Sequence, residues 1–125
     1  MLGETIREVS SNVLSECVAD GMLEKKASNV VVMDLRAVKH AVADFFVICD
    51  GNSHAQIDAI SQSVEENVHK HSKQNPWKRE GQQNKEWILL DYVDVVAHIF
   101  NKEKRVFYGL EELWGNAKIT RVDPN

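Results

Sequence analysis

The spacing of hydrophobic and polar positions changes several times along this 125-residue chain, and each change marks an element. Residues 86–100 carry the clearest pattern. Two arms rich in branched and aromatic residues are interrupted by Asp91-Tyr92-Val93-Asp94, as a hairpin turn interrupts two strands. If Asp91 and Asp94 form a cross-strand pair, alternation puts Trp87, Leu89, Asp91, Asp94, Val96 and His98 on one face. Ile88, Leu90, Val95, Ala97 and Ile99 then share the other, a purely aliphatic face suited to a core. Loops of two or four residues give the same parity, so the division tolerates some error in the turn.

The remaining elements follow from similar patterns. Residues 5–20 predict a helix: Thr5 and Glu8 have capping-box spacing, Ile6, Val9, Val13 and Cys17 make a stripe, and Gly21 is a stop signal. Residues 30–35 are nearly continuous in apolar side chains, as in a strand covered on both faces, and 44–50 hold a second strand. Gly51-Asn52-Ser53 leads into a second helix with Ser53 and Gln56 as its capping box and Ile57, Ile60, Val64, Val68 and His71 facing inward. Residues 77–80 read as a short edge strand begun by Pro76 and protected by charge. After the hairpin, Val106, Leu110, Leu113 and Trp114 predict a short helix over 105–114, weakened by Gly109. The pattern predicts one domain over 1–114, with 115–125 a flexible tail. The expected fold class is α/β (α+β): a single mixed sheet of about five strands flanked by helices.

Composition narrows the class. At 43% hydrophobic and 27% charged, with no apolar run long enough for a bilayer, the chain reads as a soluble globular protein. The N-terminus lacks a signal-sequence pattern, and a cytoplasmic location is expected. A net charge of -4 argues against broad phosphate-backbone binding and suits a basic protein partner. Cys17 and Cys49, without a Cys-x-x-Cys, read as buried free thiols in a reducing compartment.

Candidate chemistry is sparse. A helix start such as Gly51-Asn52-Ser53 can hold phosphate, but neither Gly-x-Gly-x-x-Gly nor Gly-Lys-Ser/Thr accompanies it, so turn and cap are the simpler reading. Asp91 and Asp94 admit three roles: a metal or acid/base pair, exposed turn-flanking carboxylates, or a landing site for a partner's Arg or Lys. A nucleotidyltransferase places two acids at alternate positions of one strand; these are spaced otherwise, and no second acidic cluster completes a magnesium site. The five histidines, His40, His54, His69, His71 and His98, lack zinc-site spacing, and no nucleophile motif occurs. No catalytic residue, metal or cofactor is therefore expected. Trp87, Tyr108 and Trp114 belong either to the core or to a partner surface, and Glu111 and Glu112 would extend an acidic rim beside Tyr108.

Four stretches, in order, are Asp44-Phe45-Phe46-Val47-Ile48, Gly51-x-Ser53, Trp87-x-x-x-Asp91-x-x-Asp94-Val95-Val96-x-His98-Ile99-Phe100 and Arg105-x-x-Tyr108-x-Leu110-Glu111-x-Leu113-Trp114. Together they resemble the ribosomal silencing factor family, also called Iojap-like. The resemblance implies a nucleotidyltransferase-like fold without the catalytic acids. It implies a translation repressor that binds the large ribosomal subunit through ribosomal protein L-fourteen and blocks subunit association. Large-subunit assembly on the same fold is an alternative, and a divergent metal-dependent nucleotidyltransferase a further one. The partner contacts implied are Trp87, Ile88, Asp91, Asp94, His98 and Tyr108, with a homodimer in the free state. Neither sequence-specific nucleic-acid binding nor a membrane is implied. The chain departs from the family at Val93, where Gly is usual; a β-branched residue resists positive φ, so a different turn type is expected.

Overall fold

A computed structural model describes residues 10–122. In chain order the elements are α1 (Ser11–Glu24), β1 (Ser28–Asp34), β2 (Phe45–Gly51), α2 (His54–Ser72), β3 (Lys78–Glu80), β4 (Trp87–Asp91), β5 (Val95–Asn101), α3 (Lys102–Tyr108), α4 (Leu110–Leu113) and β6 (Lys118–Arg121). The six strands form one mixed sheet in the order β3-β4-β5-β2-β1-β6. Only β2 and β5 run parallel; the other pairs are antiparallel. These two central strands are buried almost end to end, which is why their sequences are nearly continuous in apolar residues.

The helices α1 and α2 cover one face. Leu14, Val18 and Met22 of α1 and Ile57, Ile60, Val64 and Val68 of α2 pack on Val47, Cys49, Ile88, Leu90, Val95, Ala97 and Ile99. Both cysteines are buried and free, and burial pushes both thiols up from their ordinary pKa. The expected capping of α2 is present: the Ser53 hydroxyl accepts from the Gln56 N–H at 3.1 Å, and the Gln56 side chain returns to the Asn52 N–H at 2.8 Å.

Several expectations are corrected. The first helix runs to Glu24, through Gly21 rather than ending there. A Cβ on Gly21 would lie 2.8 Å from the Val64 Cα, so this glycine lets α1 and α2 touch backbone to backbone. The Ser63 hydroxyl donates to the Gly21 carbonyl at 2.7 Å across the same contact. Thr5, Ile6, Glu8 and Val9 lie outside the described residues. Val13 is exposed, and Leu14, Cys17, Val18 and Met22 make the buried stripe instead. His71 is also exposed; the helix turns Ser72 inward. The last helix begins at Lys102 and breaks in two at Gly109, whose φ is +58°.

The largest correction concerns the tail. Residues 118–121, expected to be flexible, form β6 and pair with β1, so the sheet has six strands rather than about five. Lys118, Ile119, Thr120 and Arg121 are all exposed, so no buried apolar pattern announced the strand. Backbone pairing along the outer edge of β1 makes it.

Candidate functional site

The second face of the sheet is only partly covered. Residues of the 35–44 connection and of α4 and the segment after it pack on Met33, Phe46 and Ile48. Toward β4 the cover runs out, leaving Trp87 and Leu89 half-buried. Here the aromatic side chains gather. The Trp87 ring stacks on Phe100 at 5.0 Å between centroids and leans on Tyr108 at 4.7 Å. Phe100 and Tyr108 are 5.9 Å apart, completing a three-ring cluster built from β4, β5 and α3. Such offset contacts add about 0.5–1.5 kcal/mol per pair beyond simple burial. The Tyr108 hydroxyl donates to Glu86 Oε1 at 3.2 Å. A groove of about 240 Å³ opens beside the cluster, lined by Glu80, Glu86, Trp87, Leu89 and Tyr108 among others.

Two local features hold this corner. Gly81 sits at φ +87°, and a Cβ there would come within 1.9 Å of the Trp87 carbonyl oxygen, so only glycine lets the β3–β4 turn close over Trp87. Arg105, buried in α3, anchors that helix to the sheet. Its guanidinium donates to Asp50 Oδ2 at 3.0 Å, to the Asn29 carbonyl at 2.6 Å, and to both carboxylate oxygens of Glu111 at 3.0 Å. Burial works against its charge, but the bonds to Glu111 and Asp50 outweigh it and hold its pKa above the usual value. Tyr108 lies one helical turn from this anchor.

The expected division of the hairpin into two faces is present, but its turn differs. Tyr92 and Val95 close the loop, with the Tyr92 N–H donating to the Val95 carbonyl at 2.9 Å, and Asp91 is paired with Val96. Asp91 and Asp94 therefore do not face each other; Asp94 lies in the two-residue loop. The parity is that of the assumed register, so every strand residue kept its face. Asp91 Oδ1 accepts the Val93 N–H at 2.7 Å and shapes the turn. The Asp94 carbonyl accepts from the Asp44 and Phe45 N–H groups at 2.8 and 3.1 Å, tying the turn to β2. Val93 does adopt positive φ, +77°, with the Asp94 N–H bonded to the Tyr92 carbonyl at 3.0 Å. This is a γ-turn with a β-branched residue at its strained centre, contrary to the expectation from the side chain alone.

Of the eight residues expected at a partner surface, the structure brings Trp87 and Tyr108 together. Asp91, Asp94 and Glu112 lie at the surface on separate elements. Three need correction as direct contacts. Ile88 is 0% exposed and points into the helix-covered core. His98 is 2% exposed beneath Trp87, whose indole N–H donates to its Nδ1 at 3.0 Å. Glu111, its side chain 33% exposed, accepts from Arg105 with both carboxylate oxygens, so its charge closes an ion-pair network rather than extending an acidic rim. Residues missed at first are Glu86, Leu89 and Phe100. Leu89 and Glu86 were legible from the hairpin's alternation and its acidic start; alternation also gives Phe100 its face, but only the observed register sets it opposite Trp87.

Among the described residues no three His, Cys, Asp or Glu side chains gather in a way that would hold a metal ion. No helix of the described residues is long and apolar enough to cross a membrane. What the fold defines is a mixed-sheet α/β protein with an aromatic cluster at the open end of one face. The family described as "Ribosomal silencing factor during starvation" matches residues 8–125, and the chain belongs to this family. It is 37% identical over 100 residues to the ribosomal silencing factor of Bacillus subtilis, covering 80% of this chain and 83% of that one. The chloroplastic protein Iojap of Zea mays is 39% identical over 109 residues, covering 82% of this chain and 46% of that one. A crystal structure from Bacillus halodurans superposes with a TM-score of 0.72 at 32% identity, covering 90% and 98% of the two chains. One from Chromobacterium violaceum reaches 0.79 at 23% identity, over 92% and 94%, which bears on the fold alone.

Proposed function

We propose that this chain represses translation by binding the large ribosomal subunit through ribosomal protein L-fourteen, blocking small-subunit association by its bulk. The observation that carries the reading is the Trp87–Phe100–Tyr108 cluster, left partly open on the sheet of a chain with net charge -4. Trp and Tyr dominate interface energetics because they bury large rigid surfaces at little entropic cost, while a polar edge meets water or a partner group. Glu86 beside the cluster, and Asp91 and Asp94 at the hairpin turn at the other end of β4, offer carboxylates to a basic partner. Such groups set orientation and association rate more than affinity. Acidic charge also keeps the chain from docking on ribosomal RNA, whose phosphates would repel it. A stable interface needs roughly 800 Å² from each partner, which a domain of this size can supply.

The test is a sucrose gradient in which the purified chain meets large subunits before small subunits are added. Co-sedimentation with large subunits and a reduced joined-ribosome peak are expected. A chain that does neither sinks the reading. Trp87→Ala is expected to lose both effects while keeping its circular dichroism spectrum.

A further inference from the structure

His98 is buried, neutral and bonded to Trp87, one of the three aromatic side chains of the proposed docking cluster. It lies on β5 between cross-strand neighbours Leu89 and Ile48, with the Phe46 ring edge-on at 4.5 Å and Phe100 at 6.4 Å. At 2% exposure it offers no surface to a partner. Its Nδ1 accepts the Trp87 indole N–H at 3.0 Å, which requires that this nitrogen carry no proton. The ring is then the Nε2–H tautomer, and that Nε2 has no hydrogen-bond partner. Burial favours the same neutral state, with the pKa pushed down to about 3. A leucine or phenylalanine would fill this space without burying an unsatisfied ring nitrogen. The cost is offset at Nδ1. There the imidazole satisfies an indole N–H that would otherwise be desolvated and selects one indole orientation over the others.

We infer that His98 is a positioning residue of the docking face: it fixes the Trp87 indole through Nδ1 and pre-organises it, without touching the partner. The inference rests on the docking role proposed for Trp87. A side chain already held in its bound orientation loses less freedom on binding, so removing the hold weakens binding roughly two- to tenfold. His98→Leu removes the acceptor and keeps the volume. His98→Asn returns an acceptor oxygen close to the Nδ1 position.

The full chain labelled with ¹⁵N gives three indole N–H resonances, from Trp77, Trp87 and Trp114, and the Trp87 signal is assigned by its loss in Trp87→Phe. In His98→Leu, only the Trp87 resonance is expected to shift upfield and exchange faster with solvent. Affinity for purified large subunits falls two- to tenfold, and His98→Asn restores both toward wild type. Long-range ¹H–¹⁵N correlations on the wild-type chain are expected to report the Nε2–H tautomer, a reading that needs no variant to fold. An Nδ1–H tautomer, an unmoved Trp87 resonance or an affinity unchanged in His98→Leu each overturns the role given to His98. A wild-type chain that fails to bind large subunits refutes the docking reading instead, so the two failures are distinguishable.

Discussion

The two faces of the sheet are made from the same strands and differ in what finishes them. Strand β4 contributes Ile88 and Leu90 to one side, both fully buried under α1 and α2 among aliphatic neighbours. To the other it contributes Trp87 and Leu89, half-buried, with the Trp87 ring against Phe100 and the Tyr108 ring at the end of the short helix α3. Adjacent residues on one strand therefore do different work. The helix-covered face is dry and closely interlocked, and its side chains report on stability. The other face is closed near β1 and β2 and open near β4. Its aromatic residues pack on one another with surface still to bury. The contrast teaches that folding completes burial on the covered face, whereas on the open face Trp87 and Leu89 keep exposed surface, the patch proposed above for docking.

Substitutions should separate the two kinds of residue. The largest effect is expected where cover and sheet are pinned together: Arg105→Ala leaves Asp50 and Glu111 without their cation and should cost about 3–5 kcal/mol in urea unfolding. A loss under about 1 kcal/mol would mean that α3 is held by other contacts. Next, Ile88→Ala opens a cavity beneath the helices and should lose about 2–4 kcal/mol of stability, with affinity per folded molecule unchanged. Its neighbour gives the reverse pattern. Trp87→Ala should reduce large-subunit affinity at least about thirtyfold, corresponding to a hot-spot loss of about 2 kcal/mol, with a smaller change in unfolding free energy. If Ile88 and Trp87 show the same pattern, the division between faces is wrong.

Acid should act on the layer beneath Trp87. His98 has its pKa depressed in the folded chain to about 3, below its ordinary value of about 6.5. Its contribution is fully present above about pH 6.5, and stability is lost as pH falls from there toward 3, by roughly 1 kcal/mol per pH unit. His98→Leu should flatten that segment of the stability–pH curve; an unchanged slope would mean that His98 takes up its proton in the folded state. The smallest effect belongs to the turn. Val93→Gly relieves positive φ at a β-branched residue and should raise unfolding free energy by about 1 kcal/mol, against the entropy that glycine adds to the unfolded chain. A destabilised variant would show that the 59% exposed Val93 side chain packs more usefully than its exposure indicates.

The fold was legible where burial imposed a period. Alternation over 86–100 separated the two faces correctly even though the assumed register at the turn was wrong, because the assumed and observed pairings share a parity. The capped start of α2 and its aliphatic stripe were equally plain. What failed were features set by backbone contact. Gly21 looks like a helix stop in one dimension and is a helix-crossing point in three. Lys118–Arg121 carries no buried side chain, so its pairing left no trace in the pattern. The site was legible as a pair of aromatic residues, Trp87 and Tyr108. It was not legible as a cluster, since the register that sets Phe100 opposite Trp87 was assumed wrongly, and the ion pair that sets Tyr108 joins distant stretches. His98 as a contact came from the resemblance; alternation assigns it a face and not a depth, and the structure buries it.

The pairing of β6 with β1 also bears on how the chain is made. β1 ends at Asp34 and β6 begins at Lys118, so the outer edge of β1 meets its partner only after β2 to β5 have been made. Until then one side of an apolar strand exposes unmatched amide groups, the arrangement most inclined to pair with a neighbouring chain. Closing so long a loop is also entropically costly, which should make this the last pairing to form. The exposed, charged character of β6 suits a segment that completes the sheet late: Lys118 and Arg121 keep the finished edge from recruiting another strand.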